Sequence, residues 1–188
     1  PIHLLNMGGD LNMGIKDYLE YDGFSYKFVP IRNRQRTSEV GFADPDKLYD
    51  MMTNVYKWDA LSRPDYYADN QHLYTFCGVL SQRALFLNVA KEMVKAGHPE
   101  RAVEMLDKCQ ACVPERNYPL DISYLGYSNE LMVMDMINLY YVLGEKDKAS
   151  DLATRFIDKM FQSVNFFFQF YDYAKDDFDR ARSIVLMV

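Results

Sequence analysis

From Asp44 onward, apolar residues recur at three- and four-residue intervals, whereas the first forty residues mix short apolar runs with turn signals. IHLLN, residues 2–6, predicts a strand. NMGIKDYLEY, residues 12–21, has helical spacing at Ile15, Tyr18 and Leu19 and predicts a helix that the Asp22-Gly23 turn closes. FSYKFVPIR predicts a second strand, at an edge or a terminus because Pro30 has no N–H to donate. Residues 1–40 therefore read as a small β-α-β element packed on a helical domain, residues 41–188. In that domain Asp44 can cap a helix, Pro45 suits its first turn, and Leu48, Met51, Met52, Val55 and Tyr56 form its apolar stripe. The helix should stop near Trp58, with DALSRPDYYADN as a loop, and helices joined by short turns should follow from His72.

Two of the later helix pairs repeat one pattern. Phe86, Val89, Ala90 and Met93 precede Gly97, then Ala102, Leu106 and Pro114 follow, in the tetratricopeptide order of large, small, turn, small, large, proline. Small residues at Ala90 and Ala102 allow two antiparallel helices to approach closely. Val133, Met136, Ile137 and Tyr140, then Gly144, Ala149 and Ala153, form a second copy, with Phe161 where the closing proline belongs. Gly97 and Gly144 lie 47 residues apart, about 13 beyond the ~34-residue period, and RNYPLDISYLGYS supplies the excess. The expected fold is mainly α: a right-handed stack of tetratricopeptide-like antiparallel helix pairs, with units near residues 80–114 and 127–161.

Composition changes this picture little. A net charge of −6 argues against a phosphate-backbone binder, so no nucleic acid is expected as a partner. The aromatic share of 15% fits a Tyr-rich helical core or, more sharply, a sugar- or peptide-binding face. The most apolar window, LMVMDMINLYYVLG, is too short to span a bilayer and carries Asp135 and Asn138. Both ends of the chain read as cut from something larger.

The C-x-x-C box at Cys109 and Cys112 is the most conspicuous chemical motif. It falls at the C-terminal end of its helix, where the helix dipole disfavours a thiolate, and Cys109 continues the stripe of Ala102 and Leu106. His98 precedes Cys109 by eleven residues, about 16 Å along a helix, and cannot join it at a metal. Buried structural cysteines are expected, with no metal and no cofactor. Arg32, Arg34 and Arg36 read as a solvated connector, and Asp176, Asp177 and Asp179 as helix-start carboxylates. No Ser-His-Asp set, phosphate loop or H-E-x-x-H motif is found. Trp58, Tyr66 and Tyr67, around Pro64, are expected to pack their loop onto the helices and, as the alternative, are the candidates for stacking on a sugar ring.

The run PIHLLNMGGDLNMGIKDYLEYDGFSYKFVPIRNR, then LYDMMTNVYKW and KAGHPERAVEMLDKC, resembles the soluble C-terminal region of a family of bacterial multi-spanning membrane proteins of unknown function. That family in turn resembles GT-C glycosyltransferases, including protein O-mannosyltransferases. The resemblance implies a tetratricopeptide-like tail on the periplasmic side, reaching the membrane only through its parent, with the transferase site in the parent's membrane domain. It carries no catalytic residue onto this chain, so the domain alone is expected to be inactive. Tetratricopeptide proteins bind partners on the first helix of each pair. By matching positions that face includes Leu87, Lys91, Val94 and Lys95 in one unit and Met134, Asn138 and Tyr141 in the other. Leu87, Val94 and Met134 are expected to pack under the N-terminal β-α-β segment or a missing domain, leaving Lys91, Lys95, Asn138 and Tyr141 to meet a protein partner or the parent's own membrane domain, while a glycan is the alternative partner of the Trp58, Tyr66 and Tyr67 surface.

Overall fold

The structure, a computed structural model, describes residues 2–4, 14–32, 42–67, 79–121, 123–124 and 127–187. The described residues are mainly helical, with a small N-terminal strand element, as the periodicity predicts.

Strands β1 (His3–Leu4), β2 (Leu19–Tyr21), β3 (Tyr26–Phe28) and β4 (Phe42–Ala43) form one sheet in the order β1-β3-β2-β4. β3 runs antiparallel to both β1 and β2, and β4 lies parallel to β2. The expected β-α-β crossover is therefore replaced by a hairpin. Of the predicted helix only one 3-10 turn, Lys16–Tyr18, is present, and Leu19 to Tyr21 are strand. Residues 12 and 13 lie outside the described residues. The cause is local: Gly23, at φ +104°, opens a two-residue turn closed by the Asp22 N–H to the Ser25 carbonyl at 3.0 Å. Pairing with Tyr26–Phe28 then buries Leu19 completely, which outweighs a weak helical spacing. β3 is an inner strand, contrary to the expectation from Pro30, and it ends at Phe28, so the proline removes no ladder donor.

Helix α1 (Pro45–Asp50) begins as expected, with the Asp44 side chain accepting the Lys47 N–H at 3.2 Å. It widens into a π turn, Met51–Val55, which keeps Met52 in the core but leaves Val55 half-exposed. The stretch expected as a loop contains a single-turn helix, α2 (Asp59–Ser62), beginning beside the buried Trp58.

The two predicted units are α3 (Val79–Lys95) with α4 (Pro99–Cys112), and α5 (Asn129–Val142) with α6 (Lys146–Gln169). Each turn closes identically. At φ +83° and +85°, Gly97 and Gly144 let the next N–H reach back five residues, His98 to Met93 and Glu145 to Tyr140, both at 2.9 Å. Phe86, Val89, Ala90, Met93, Ala102 and Leu106 are fully buried, and Val133, Met136, Ile137, Tyr140 and Ala149 nearly so. α3 also packs on α5, so the first helices of the two units lie side by side, and α7 (Tyr171–Val185) packs back on α6. No helix among the described residues is long and apolar enough to cross a membrane.

A buried cation organises the insertion between the units. Arg83 on α3, 3% exposed, donates to the Pro119 carbonyl and to Asn129 Oδ1, both at 3.1 Å, and to the Tyr118 carbonyl. Asn129, at the start of α5, donates in turn to the Leu120 carbonyl at 2.7 Å. A short hairpin, β5 (Ser123–Tyr124) and β6 (Tyr127–Ser128), completes the insertion.

Candidate interaction site

The first helices of the two units carry the predicted face. On α3, Leu87 is buried, and Val94 lies half-buried against the core, as does Met134 on α5. Lys91 reaches across to Asp135 of α5 at 2.6 Å, tying the helices together, while Lys95 pairs with Glu92 on its own helix at 2.6 Å. Asn138 is exposed, and Tyr141 is 47% exposed. Leu131 and Val142, which the sequence reading did not single out, are also exposed. With Asp135 and Asn138 they follow the 4-, 3-, 4-residue steps of a single helical stripe. This face thus mixes an ion pair, an amide and three large apolar side chains, a composition suited to a protein surface. The signal for Leu131 and Val142 was present in that spacing but was masked because α5 is apolar on nearly every side.

The three aromatics of the sugar-stacking alternative separate. Trp58 is buried, its ring 4.7 Å from Phe86 and its indole N–H donating to the Met52 carbonyl at 2.8 Å. Tyr66 is half-buried, and its carbonyl accepts from Asn117 at 3.0 Å. Tyr67 is exposed, so of the three it alone presents an open ring face.

The cysteine box occupies the last turn of α4. Cys109 is buried and its thiol is pushed up to about 12, chiefly by that burial, which the nearby Arg83 charge only partly offsets; burial also raises Cys112. Neither is a poised thiolate at neutral pH. Cys77 lies outside the described residues.

A Ser-His-Asp set that sequence order concealed comes together in the sheet. His3 Nδ1 lies 2.9 Å from Ser25 Oγ and 3.2 Å from Asp22 Oδ2. Its wiring is not that of a nucleophile relay. The Ser25 hydroxyl lies 3.0 Å from each Asp22 oxygen, with Asp22 as its acceptor, and the Ser25 N–H donates to Asp22 at 2.8 Å. One imidazole nitrogen faces both partners, whereas a relay uses the two nitrogens separately. The cluster pins the hairpin turn to β1.

On the side of the second helices, a groove of about 600 Å³ is lined by Asp107, Gln110, Tyr140, Lys148, Asp151 and Arg155 among others. Asp107 accepts from the Tyr140 hydroxyl at 2.9 Å and from Lys148 at 2.8 Å, and Arg155 pairs with Asp151 at 2.9 Å and with Glu115. Burial and the Asp107 bond push the Tyr140 hydroxyl well above its usual range, so it serves as a fixed donor. Arg32 is tied to Asp17 at 2.9 Å, as a connector residue would be, and Arg34 and Arg36 lie outside the described residues. Asp176 and Asp177 fall in the first turn beyond a helix break at Ala174, so the acids sit at a helix start only because α7 restarts there.

The C-terminal pair departs from the rest. α6 has 24 residues against 14 for α5, so it runs past the expected end near Phe161. Among the described residues, none between Met160 and Ala181 is buried, yet the segment carries Phe161, Phe166, Phe167, Phe168, Phe170, Tyr171, Tyr173 and Phe178. Compared with protein-family models, curated proteins and solved structures, the chain finds no match in any of the three.

Proposed function

We propose that this chain is a noncatalytic tetratricopeptide-like domain that binds a protein or positions a substrate for a membrane-bound, glycosyltransferase-like parent on the periplasmic side. The observation that carries this reading is the exposed face on the adjacent first helices: Lys91 and Lys95 of α3 beside Asp135, Asn138, Tyr141 and Val142 of α5. Exposed Leu131, Tyr141 and Val142 offer apolar area, and the flanking charges offer orientation. The parentage rests on the resemblance of the N-terminal run. The glycan-binding alternative retains Tyr67 from its three aromatics.

Affinity capture from bacterial envelope extracts is the test, with the wild-type chain set against an Asn138→Ala, Tyr141→Ala, Val142→Ser variant. Because these side chains lie at the surface, the variant should melt like wild type and lose the captured protein. Equal capture by both chains, or no specific capture together with an unaffected parent after deletion of the domain, overturns the proposal. A glycan array with the same two chains separates the alternative.

A further inference from the structure

The end of α6 and the start of α7 form a C-terminal arm whose corner holds no residue that stops a helix. Gly97 and Gly144 end the first helix of each unit, but from Glu145 to Val188 the sequence contains neither glycine nor proline. The chain turns back all the same. α6 ends at Phe170, with φ −118° and ψ 28°, and the helix breaks again at Ala174, with φ −125° and ψ 33°. Alanine is the strongest helix former, so local preference at the second break opposes the conformation observed. The Ala174 N–H already bonds the Phe170 carbonyl at 2.9 Å, in the i to i−4 pattern of a helix. Helical values lie about 70° away in ψ at Phe170 and Ala174.

What holds the corner is tertiary. Ala181 and Ile184 are 1 and 6% exposed and belong to the same core as Phe156 and Met160 of α6. Arg180 places Nε 3.8 Å from the buried Glu130 carboxylate at the start of α5. Phe168 and Tyr171 stack on Phe178, with centroids 5.8 and 5.3 Å apart. Asp172, Asp176 and Asp177 also favour a separate helix start near the breaks, through the helix dipole. We infer that this corner is a hinge built into the fold, at which α7 unlatches from the stack and joins α6 as one helix over residues 146–185, about 60 Å long. The extended form uncovers Glu130 and the core beneath Ala181 and Ile184, so the hinge controls access to that end of the stack. It is independent of the proposed partner face, because none of the latch residues is among those proposed to bind.

Spin labels at Gln162→Cys and Ser183→Cys, both exposed positions, test it by distance measurement in a chain carrying Cys77→Ser, Cys109→Ala and Cys112→Ser. On one continuous helix these positions, 21 residues apart, are separated by about 32 Å. The folded-back form gives a shorter distance, because α6 and α7 pack side by side, and it should dominate in this background. Ile184→Ala with Arg180→Ala should raise the ~32 Å component by about 10-fold or more, since only the folded-back form loses contacts. Adding Ala174→Gly should lower that component by about 5-fold, since glycine penalises only the continuous helix. Small-angle X-ray scattering of the latch variant with its native cysteines gives a second reading, an increased maximum dimension. A latch variant that stays short by both measurements overturns the inference, as does a long component that Ala174→Gly leaves unchanged. Loss of the short distance together with helical circular dichroism equally overturns it, because α7 then melts instead of extending.

Discussion

The body of the helical stack and its C-terminal arm both carry large aromatic residues, far more densely in the arm, and they treat their rings in opposite ways. In the body Phe86 is fully buried, with Trp58 4.7 Å away and small residues at Ala90 and Ala102 letting two helices close over it. In the arm Phe168 touches Phe178 but stays 67% exposed, because α6 outruns α5 and, among the described residues, its last turns pack chiefly on α7. Hydrophobicity supplies the drive toward burial, and a neighbour on the far side decides whether burial happens. An aromatic run is therefore core where the repeat continues and surface where it stops.

That contrast is open to direct attack. Phe86→Ala should destabilise the chain by about 3–5 kcal/mol, read from urea unfolding, since it removes a fully buried ring from a packed site; a cost near zero would mean the body is no better packed than the arm. Arg83→Ala should cost about 3 kcal/mol, because the carbonyls of Tyr118 and Pro119 and the amide of Asn129 lose a buried charged donor. Proteolysis should then cleave first in the segment around residues 117–128. The smallest effect belongs to the arm. Phe168→Ser should change stability by less than about 0.5 kcal/mol in the same urea unfolding, because the ring is mostly exposed.

Most of the stack was legible without coordinates. Gly97 and Gly144 adopt the positive φ that their place after a helix calls for, and the residues predicted at both helix crossings, from Phe86 to Ala149, are buried. Asp44 caps α1, and Cys109 is packing. These features repeat or act over a few residues, so spacing alone encodes them. The N-terminal element was misread at residues 19–21, where strand pairing with a segment five residues on overrides helical spacing. Trp58 packs as its loop was expected to, but its neighbourhood in the chain does not exclude a surface ring, because nothing there shows that Phe86 closes over it.

The candidate site divides along the same line. Lys91, Lys95, Asn138 and Tyr141 followed from register within a repeat, whereas the Lys91 to Asp135 bridge spans 44 residues. The His3, Asp22 and Ser25 cluster and the Arg83 strap likewise join partners far apart in the chain. The sequence by itself determined the helical period, the turns and which residues face inward at each crossing, because these depend on backbone geometry and on side-chain size within a few residues. Only the tertiary structure decided which apolar faces acquire a neighbour and which stay open, because burial is a property of pairs of elements. The exposed rings of the arm follow from where α6 ends relative to the helices beside it.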